Sequence, residues 1–260
     1  VIRGAGDIAT GIALRLYRAG IKIVMTDLPQ PTSIRRTVCF SEAIRHGTAV
    51  VEGVEACLAE NAAEARKIAE SGRVAVLVDP EAACAKTLQP DALVDAILAK
   101  KNLGTCITDA PVVVAVGPGF TAGVDCHAAV ETMRGHTLGR VLYEGSPLPN
   151  TGIPGVIAGY AAERVLRAPA DGVFEPKKEI GAQVKKGEVA AVVSGKPMLC
   201  KIDGCLRGLM QAGAVVFEGM KCGDVDPRGI PDNCTTASDK AIAVGGGVLE
   251  AILHFTHALD

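Results

Sequence analysis

Arg3-Gly4-Ala5-Gly6-Asp7-Ile8-Ala9-Thr10-Gly11, with Asp27 closing the next apolar run, is the stretch on which the fold turns. The pattern Gly4-x-Gly6-x-x-Ala9 leaves a short apolar run and enters a helix-length one. In that context each residue type has a physical task. Gly4 makes the tight turn out of a strand, Gly6 lets a pyrophosphate approach the backbone, and Ala9 permits close packing of helix on strand. The helix start at Asp7 and Ile8 offers N–H groups and a partial positive charge to the phosphate. Ile12, Leu14, Leu16 and Tyr17 carry the helix, and Gly20 ends it. Residues 21–26 read as the second strand, and Asp27 is placed to accept from a ribose 2′-hydroxyl. The same carboxylate disfavours a 2′-phosphate, so NAD is expected over NADP. The first strand holds only Val1-Ile2-Arg3, which predicts further residues, an initiator Met included, ahead of Val1.

Outward from this turn, strand-like and helix-like stretches alternate. Residues 48–52 and 73–78 are β-branched runs, and 56–71 is Ala/Glu-rich with helical spacing. Residues 90–101 read as another helix, and 111–117 as a fully apolar strand. The rhythm predicts an α/β class: a Rossmann-like parallel sheet with helices over residues 1–167. A second glycine loop, Gly117-Pro118-Gly119-Phe120, is expected to face the first across one ligand pocket.

Polar chemistry is dense just beyond it. A helix over 127–134 would set His127 and Glu131 four residues apart on one face. Such a pair can hold one edge of a metal site, tune the imidazole for proton transfer, or form a plain surface ion pair. No metal site is predicted. Asp109 is a further candidate acid or base. Arg134, His136 and Arg140, or Arg35 and Arg36 after the second strand, can supply positive charge to an anionic ligand. Residues 156–166 read as a helix.

The second half carries a repeat. Asp171-Gly172, Gly181, Val184 and Gly187 recur as Asp203-Gly204, Gly213, Val216 and Gly219, each offset by 32 residues. Two quasi-equivalent β units follow, a module over 168–229 that is similar to the barrel-sandwich hybrids of lipoyl and biotinyl carriers. Lys196 lies near the expected hairpin but lacks the flanking residues of a modified lysine, and Met220-Lys221 falls away from it, so no covalent lipoyl or biotin is expected. Residues 230–260 form a C-terminal helix capped by Ser238 and reaching Leu259. Gly245-Gly246-Gly247 inside it implies close approach, either of the first domain or of a second copy in a homo-oligomer.

Composition narrows the function classes. Apolar residues make up 48% of the 260, but aromatics only 3%, with no Trp. The core must be aliphatic, and a base-stacking platform for single strands is excluded. A net charge of −2 leaves no basic footprint for nucleic acid, and no apolar run is long enough to span a membrane. Nine cysteines without C-x-x-C spacing read as reduced, mostly buried thiols in a cytoplasmic protein.

The string 4–11, together with 117–120, Glu131-Thr-Met-Arg-Gly-His136, Leu138-Gly-Arg140, Asn150-Thr-Gly-Ile-Pro-Gly155 and Gly223-Asp-Val-Asp-Pro-Arg228, resembles the YqeB-type accessory proteins of selenium-dependent molybdenum hydroxylases. The resemblance runs over nearly the whole chain. It implies a part in maturing such a hydroxylase, in a setting analogous to the XdhC-type chaperones. The implied partners are the hydroxylase or its cofactor-synthesis proteins, and the implied ligand is a nucleotide-type molecule. Either the molybdenum cofactor dinucleotide or NAD suits the turn. The competing readings are an NAD-dependent oxidoreductase acting through His127 or Asp109, and a non-catalytic docking module.

Overall fold

The computed structural model describes residues 1–258. The chain divides into two units. The first comprises Val1–Pro31, Cys39–Thr151 and the chain from Ala237 onward; the second comprises Thr32–Val38 and Gly152–Thr236. These bounds differ from the expected 1–167, 168–229 and 230–260. The C-terminal helix belongs to the first unit, and the segment 152–167 belongs to the second.

The first unit is built on β1 (Ile2–Arg3), α1 (Asp7–Arg18), β2 (Val24–Asp27), α2 (Ala43–His46), β3 (Thr48–Val51), β4 (Val54–Ala59), α3 (Ala62–Glu70), β5 (Val74–Val78), α4 (Ala85–Leu88), β6 (Ala92–Asp95), β7 (Val112–Val116), β8 (Ala128–Val130) and β9 (Val141–Leu142). Its strands form one nine-stranded sheet in the order β3-β4-β5-β2-β1-β6-β7-β8-β9. The inner pairings are parallel, while β3–β4 and β8–β9 are antiparallel.

The expected fold class, a Rossmann-like parallel sheet with helices followed by a barrel-sandwich module, is therefore corrected to a mixed α/β sheet plus separate antiparallel sheets. The physical reasons are local. Glu52 and Gly53 both take positive φ, 47° and 79°, and close a two-residue hairpin, so 48–59 is two strands rather than a strand running into a helix. The helix starts only at Asn61, whose side chain caps the N–H of Glu64 at 3.0 Å. The expected helices over 90–101, 127–134 and 156–166 are absent; none of residues 90–166 is helical. Ala92–Asp95 and Ala128–Val130 are short buried runs, which periodicity alone cannot separate from helix.

A long helix, α5 (Asp239–Thr256), completes this unit; the expected end at Leu259 lies outside the described residues. Ser238 caps it through the N–H of Ala241. Ala241 lies beside Gly11, and Gly245 beside Ile12 and Arg15. The two helices thus run in the same direction. A Cβ on Gly11 would stand 2.5 Å from that of Ala241, and one on Gly247 would stand 2.3 Å from the Gly139 carbonyl oxygen. Gly245 is explained by the close approach of α1 and Gly247 by that of the β8–β9 turn.

The second unit comprises β10 (Val165–Arg167), β11 (Gly172–Pro176), β12 (Gln183–Val184), β13 (Val189–Val193), β14 (Lys196–Leu199), β15 (Gly204–Leu209), β16 (Val215–Val216) and β17 (Lys221–Asp226). Two four-stranded sheets result, β10-β17-β15-β12 and β14-β13-β11-β16. The 32-residue offset carries β11 onto β15, β12 onto β16 and β13 onto β17. Each short strand pairs with the first strand of the other repeat, β12 with β15 and β16 with β11. Phe174, Leu206, Leu209 and Met210 are in its core.

Candidate functional site

The 4–9 turn leaves the carboxyl end of β1. Gly4 has φ +105°, and a Cβ there would stand 2.9 Å from the Ala96 carbonyl oxygen. Its missing side chain admits the chain beyond β6 rather than a ligand. Gly6 is the N-cap of α1 with extended backbone (φ −71°, ψ −173°) and provides no side-chain acceptor for the first-turn N–H groups. Asp7 and Ile8 begin the helix, and Ala9 is buried against the sheet.

Asp27 grips this turn from within. Its Oδ2 accepts from the Ala5 N–H at 2.9 Å and its Oδ1 from the Leu28 N–H at 2.7 Å. Burial raises its pKa, and the two N–H groups only partly offset this. Thr10 Oγ1 ties the turn to the next loop by accepting from the Phe40 N–H at 2.9 Å.

Composition did not reveal the neighbouring ion pair. Arg3 donates from Nη1 to Asp95 Oδ2 at 3.4 Å and to Thr105 Oγ1 at 3.0 Å, and from Nη2 to the Leu103 carbonyl. Thr105 in turn donates to Asp95 at 2.6 Å. This buried trio pins the 96–105 loop over the strand ends. The loop fills the space between the two glycine loops, correcting the expectation that they face each other across one pocket. Gly4 backs onto Ala96, and a Cβ on Gly119 would stand 2.5 Å from Lys101 Cα. Gly117 packs on Thr132, Pro118 is half-buried, and Phe120 is anchored in the cluster of Ala122 and Cys126.

The three candidate acid–base residues do not meet. His127 precedes β8 and Asp109 precedes β7, so both stand at the amino ends of their strands, opposite the glycine turn. His127 Nδ1 accepts the Val113 N–H at 2.9 Å, and its ring lies edge-on to Phe255. Asp109 Oδ2 accepts from the Cys106 N–H, a turn contact. Glu131 does follow β8 at the carboxyl end, but it is buried, and its two oxygens accept the N–H groups of Met133 and Leu148 at 2.6 and 2.8 Å. It organises two loops. The His127–Glu131 pairing is lost because β8 is a strand. Among the described residues, no group of three or more His, Cys, Asp or Glu is arranged to hold a metal ion.

What the carboxyl ends also gather is a group of cations, set among the carboxylates of Asp7, Glu131 and Asp239. Because α1 and α5 run in the same direction, their N-termini emerge at the same end of the sheet. Lys240 stands in the first turn of α5, half-buried. Burial lowers its pKa to about 8, and the nearby charge of Lys100, with a smaller contribution from Arg134, pushes the same way against Asp7 and Glu131. Arg134 holds Asp239 through both carboxylate oxygens at 2.6 and 2.7 Å. Glu131 is engaged by backbone N–H groups and Asp239 by Arg134, which leaves Asp7 as the carboxylate that acts most strongly on Lys240, against Lys100 and Arg134.

No family model matches the chain. It is 51% identical over 257 residues to YqeB of Escherichia coli (strain K12), a protein described as uncharacterized. The chain is a relative of YqeB. The match takes in 99% of this chain and 48% of YqeB, so the chain spans about half the length of that curated relative.

Solved structures align more loosely. A succinylglutamate desuccinylase/aspartoacylase from Rhodobacter sphaeroides is 28% identical over 32% of this chain and 29% of its own, with TM-score 0.22. The ectoine utilization protein EutE (DoeB) from Ruegeria pomeroyi, in a product-bound structure, is 19% identical over 32% and 27%, with TM-score 0.23. An aspartoacylase family protein from Mesorhizobium loti is 12% identical over 55% and 59%, with TM-score 0.25. Two of the three are described as aspartoacylase-type proteins, and none as a molybdenum or selenium protein. At such TM-scores they carry neither fold nor activity to this chain. The expected role in hydroxylase maturation is withdrawn, together with the molybdenum cofactor dinucleotide, NAD and the NAD-dependent oxidoreductase: the 96–105 loop occupies the space between the two glycine loops where a dinucleotide was expected, and His127 and Asp109 stand at the far end of the sheet. Among the described residues, no helix is long and apolar enough to cross a membrane.

Proposed function

We propose that the first unit binds a small phosphate-bearing molecule at the carboxyl ends of its parallel strands. The observation that carries this reading is the convergence of two helix N-termini on one end of the sheet, with Lys100, Arg134 and Lys240 beside them. An anion there would meet first-turn N–H groups that Gly6 leaves without a side-chain cap, and two dipole ends of the same sign. It would also relieve the repulsion between Lys100 and Lys240. The ligand would touch Gly6, Asp7, Ile8 and Lys240. Asp27, Gly4 and the 117–120 loop shape the site behind it.

Inorganic phosphate, pyrophosphate and a panel of phosphomonoesters test this by thermal shift. A ligand present at a hundred times its Kd stabilises by about 2.7 kcal/mol. Gly6→Val is expected to abolish the shift at a cost to the free protein of about 1 kcal/mol, since its backbone angles suit any residue but Val is a poor N-cap. Lys240→Met is expected to weaken binding about tenfold, the worth of one charge-assisted contact. Binding should also shield Lys240 from amine acylation at pH 8, where its low pKa makes it reactive. Absence of any shift across the panel, or a shift that survives Gly6→Val, would overturn the reading.

A further inference from the structure

The second unit holds an open cleft of about 600 Å³ that the site above does not use. It lies between the edge strands of the two sheets, β10 and β14. Three of its nine lining residues are cations, Arg167, Lys186 and Lys201, and none is acidic. All three are exposed, and Pro197, Met198 and Leu199 provide an apolar wall between them. The nearby carboxylates stand outside the lining. Asp203 is held by Lys185 at 3.0 Å and Glu188 by Lys178 at 3.1 Å, while Glu163 feels the charge of Lys201.

The edge of β14 is oriented for pairing. Cys200 donates its N–H to Glu188 and accepts at its carbonyl from the Gly187 N–H, so both its backbone groups turn inward. Alternation along the strand turns the N–H and C=O of Leu199 the other way, away from β13 and toward the open edge of the sheet. Leu199 itself is exposed. An edge with outward backbone groups, an apolar wall and cations on its rim suits an extended chain whose side chains alternate between apolar and acidic.

We infer that the β10–β14 cleft of the second unit takes an acidic, extended segment of a partner protein, added as a strand along β14 with its carboxylates on Arg167, Lys186 and Lys201. Pro197 and the lysines also fit the alternative that this edge is simply guarded against pairing, and the test separates the two.

The full chain is titrated into a fluorescein-labelled octapeptide of alternating Glu and Val, with a Lys–Val octapeptide as the control, and anisotropy is read at low and high salt. Binding of the acidic peptide alone, weakened at least tenfold by 0.5 M salt, is expected. Lys186→Glu with Lys201→Glu should weaken it at least tenfold with the thermal melt unchanged. Leu199→Pro removes one outward N–H at an edge where proline is tolerated, and should also weaken binding several-fold. No binding at millimolar protein, equal binding of the basic peptide, or indifference to charge reversal would leave a guarded edge and overturn the inference. Indifference to Leu199→Pro would overturn the strand pairing.

Discussion

Replacing Asp224 with Ala is expected to destabilise the second unit by about 3–5 kcal/mol, the cost of leaving buried charges without their partner. Asp224 is 1% exposed and lies between two arginines that are each 7% exposed. One oxygen pairs with Arg164 Nη1. The other accepts from Arg207 Nε at 2.9 Å and Nη2 at 2.5 Å. Removing the carboxylate leaves Arg164 with the Gly155 carbonyl and Arg207 with only the longer contact to Asp226 at 3.5 Å, in a buried site. Urea denaturation monitored by circular dichroism measures the loss. A change under 1 kcal/mol would show that the network is better solvated than its burial implies. Replacing Arg164, Asp224 and Arg207 together with apolar residues of similar volume should cost less than Asp224→Ala, because the one buried charge then left, Asp226, keeps Arg228 as its partner.

The same network sets an acid limit. Burial alone would raise the pKa of Asp226, but hydrogen bonds from Arg228 and the charges of Arg207 and Arg228 bring it from 3.8 down to about 2. A folded-state pKa below the unfolded one adds stability that is complete above about pH 4 and is lost as pH falls through about 2. Asp226→Asn should flatten that part of the stability–pH curve. An unchanged acid limb between pH 4 and 2 would remove Asp226 from it.

Legibility followed the physics of each segment. The strand–turn–helix at 2–18 was readable because Gly4, Gly6 and Ala9 mark a turn with few alternatives. The 32-residue offset was readable because Gly172/Gly204 at the strand starts and Gly181/Gly213 and Gly187/Gly219 at turns all take positive φ, where other residues are strained. The short buried strands 92–95 and 128–130 were not readable, since an apolar run of three or four residues has no period to measure. The hairpin at Glu52-Gly53 hid because Glu is an uncommon choice at positive φ. At the site, spacing misplaced His127 and Asp109, because which end of a strand a residue occupies depends on strand direction, and that is a property of the whole sheet. Lys240 gave no signal at all. Its chemistry comes first from burial and then from Lys100 and Arg134, both more than 100 residues away in sequence.

The glycine run of α5 separates two kinds of glycine within one helix, and a pair of alanine substitutions should split them sharply. Gly246 has nothing within 4 Å of where a Cβ would stand. Gly246→Ala should therefore stabilise the protein by about 1 kcal/mol, the helix-propensity difference alone. Gly247 gains the same propensity but meets backbone. Its Cβ would stand 2.3 Å from the Gly139 carbonyl oxygen and 2.9 Å from Val130 Cγ1. Gly139 cannot step aside, because a Cβ of its own would already be 2.7 Å from the Ala243 carbonyl and its φ of +80° is held by the turn between β8 and β9. Two backbones cross here with no side chain between them. Gly247→Ala is expected to cost about 3 kcal/mol or more net, at the upper end for overpacking a rigid contact. Thermal melts of the two variants side by side measure the difference. Equal melting temperatures would mean that α5 can lift off the β8–β9 turn without loss, and that the parallel setting of α1 and α5, on which the anion site depends, is not fixed by this contact.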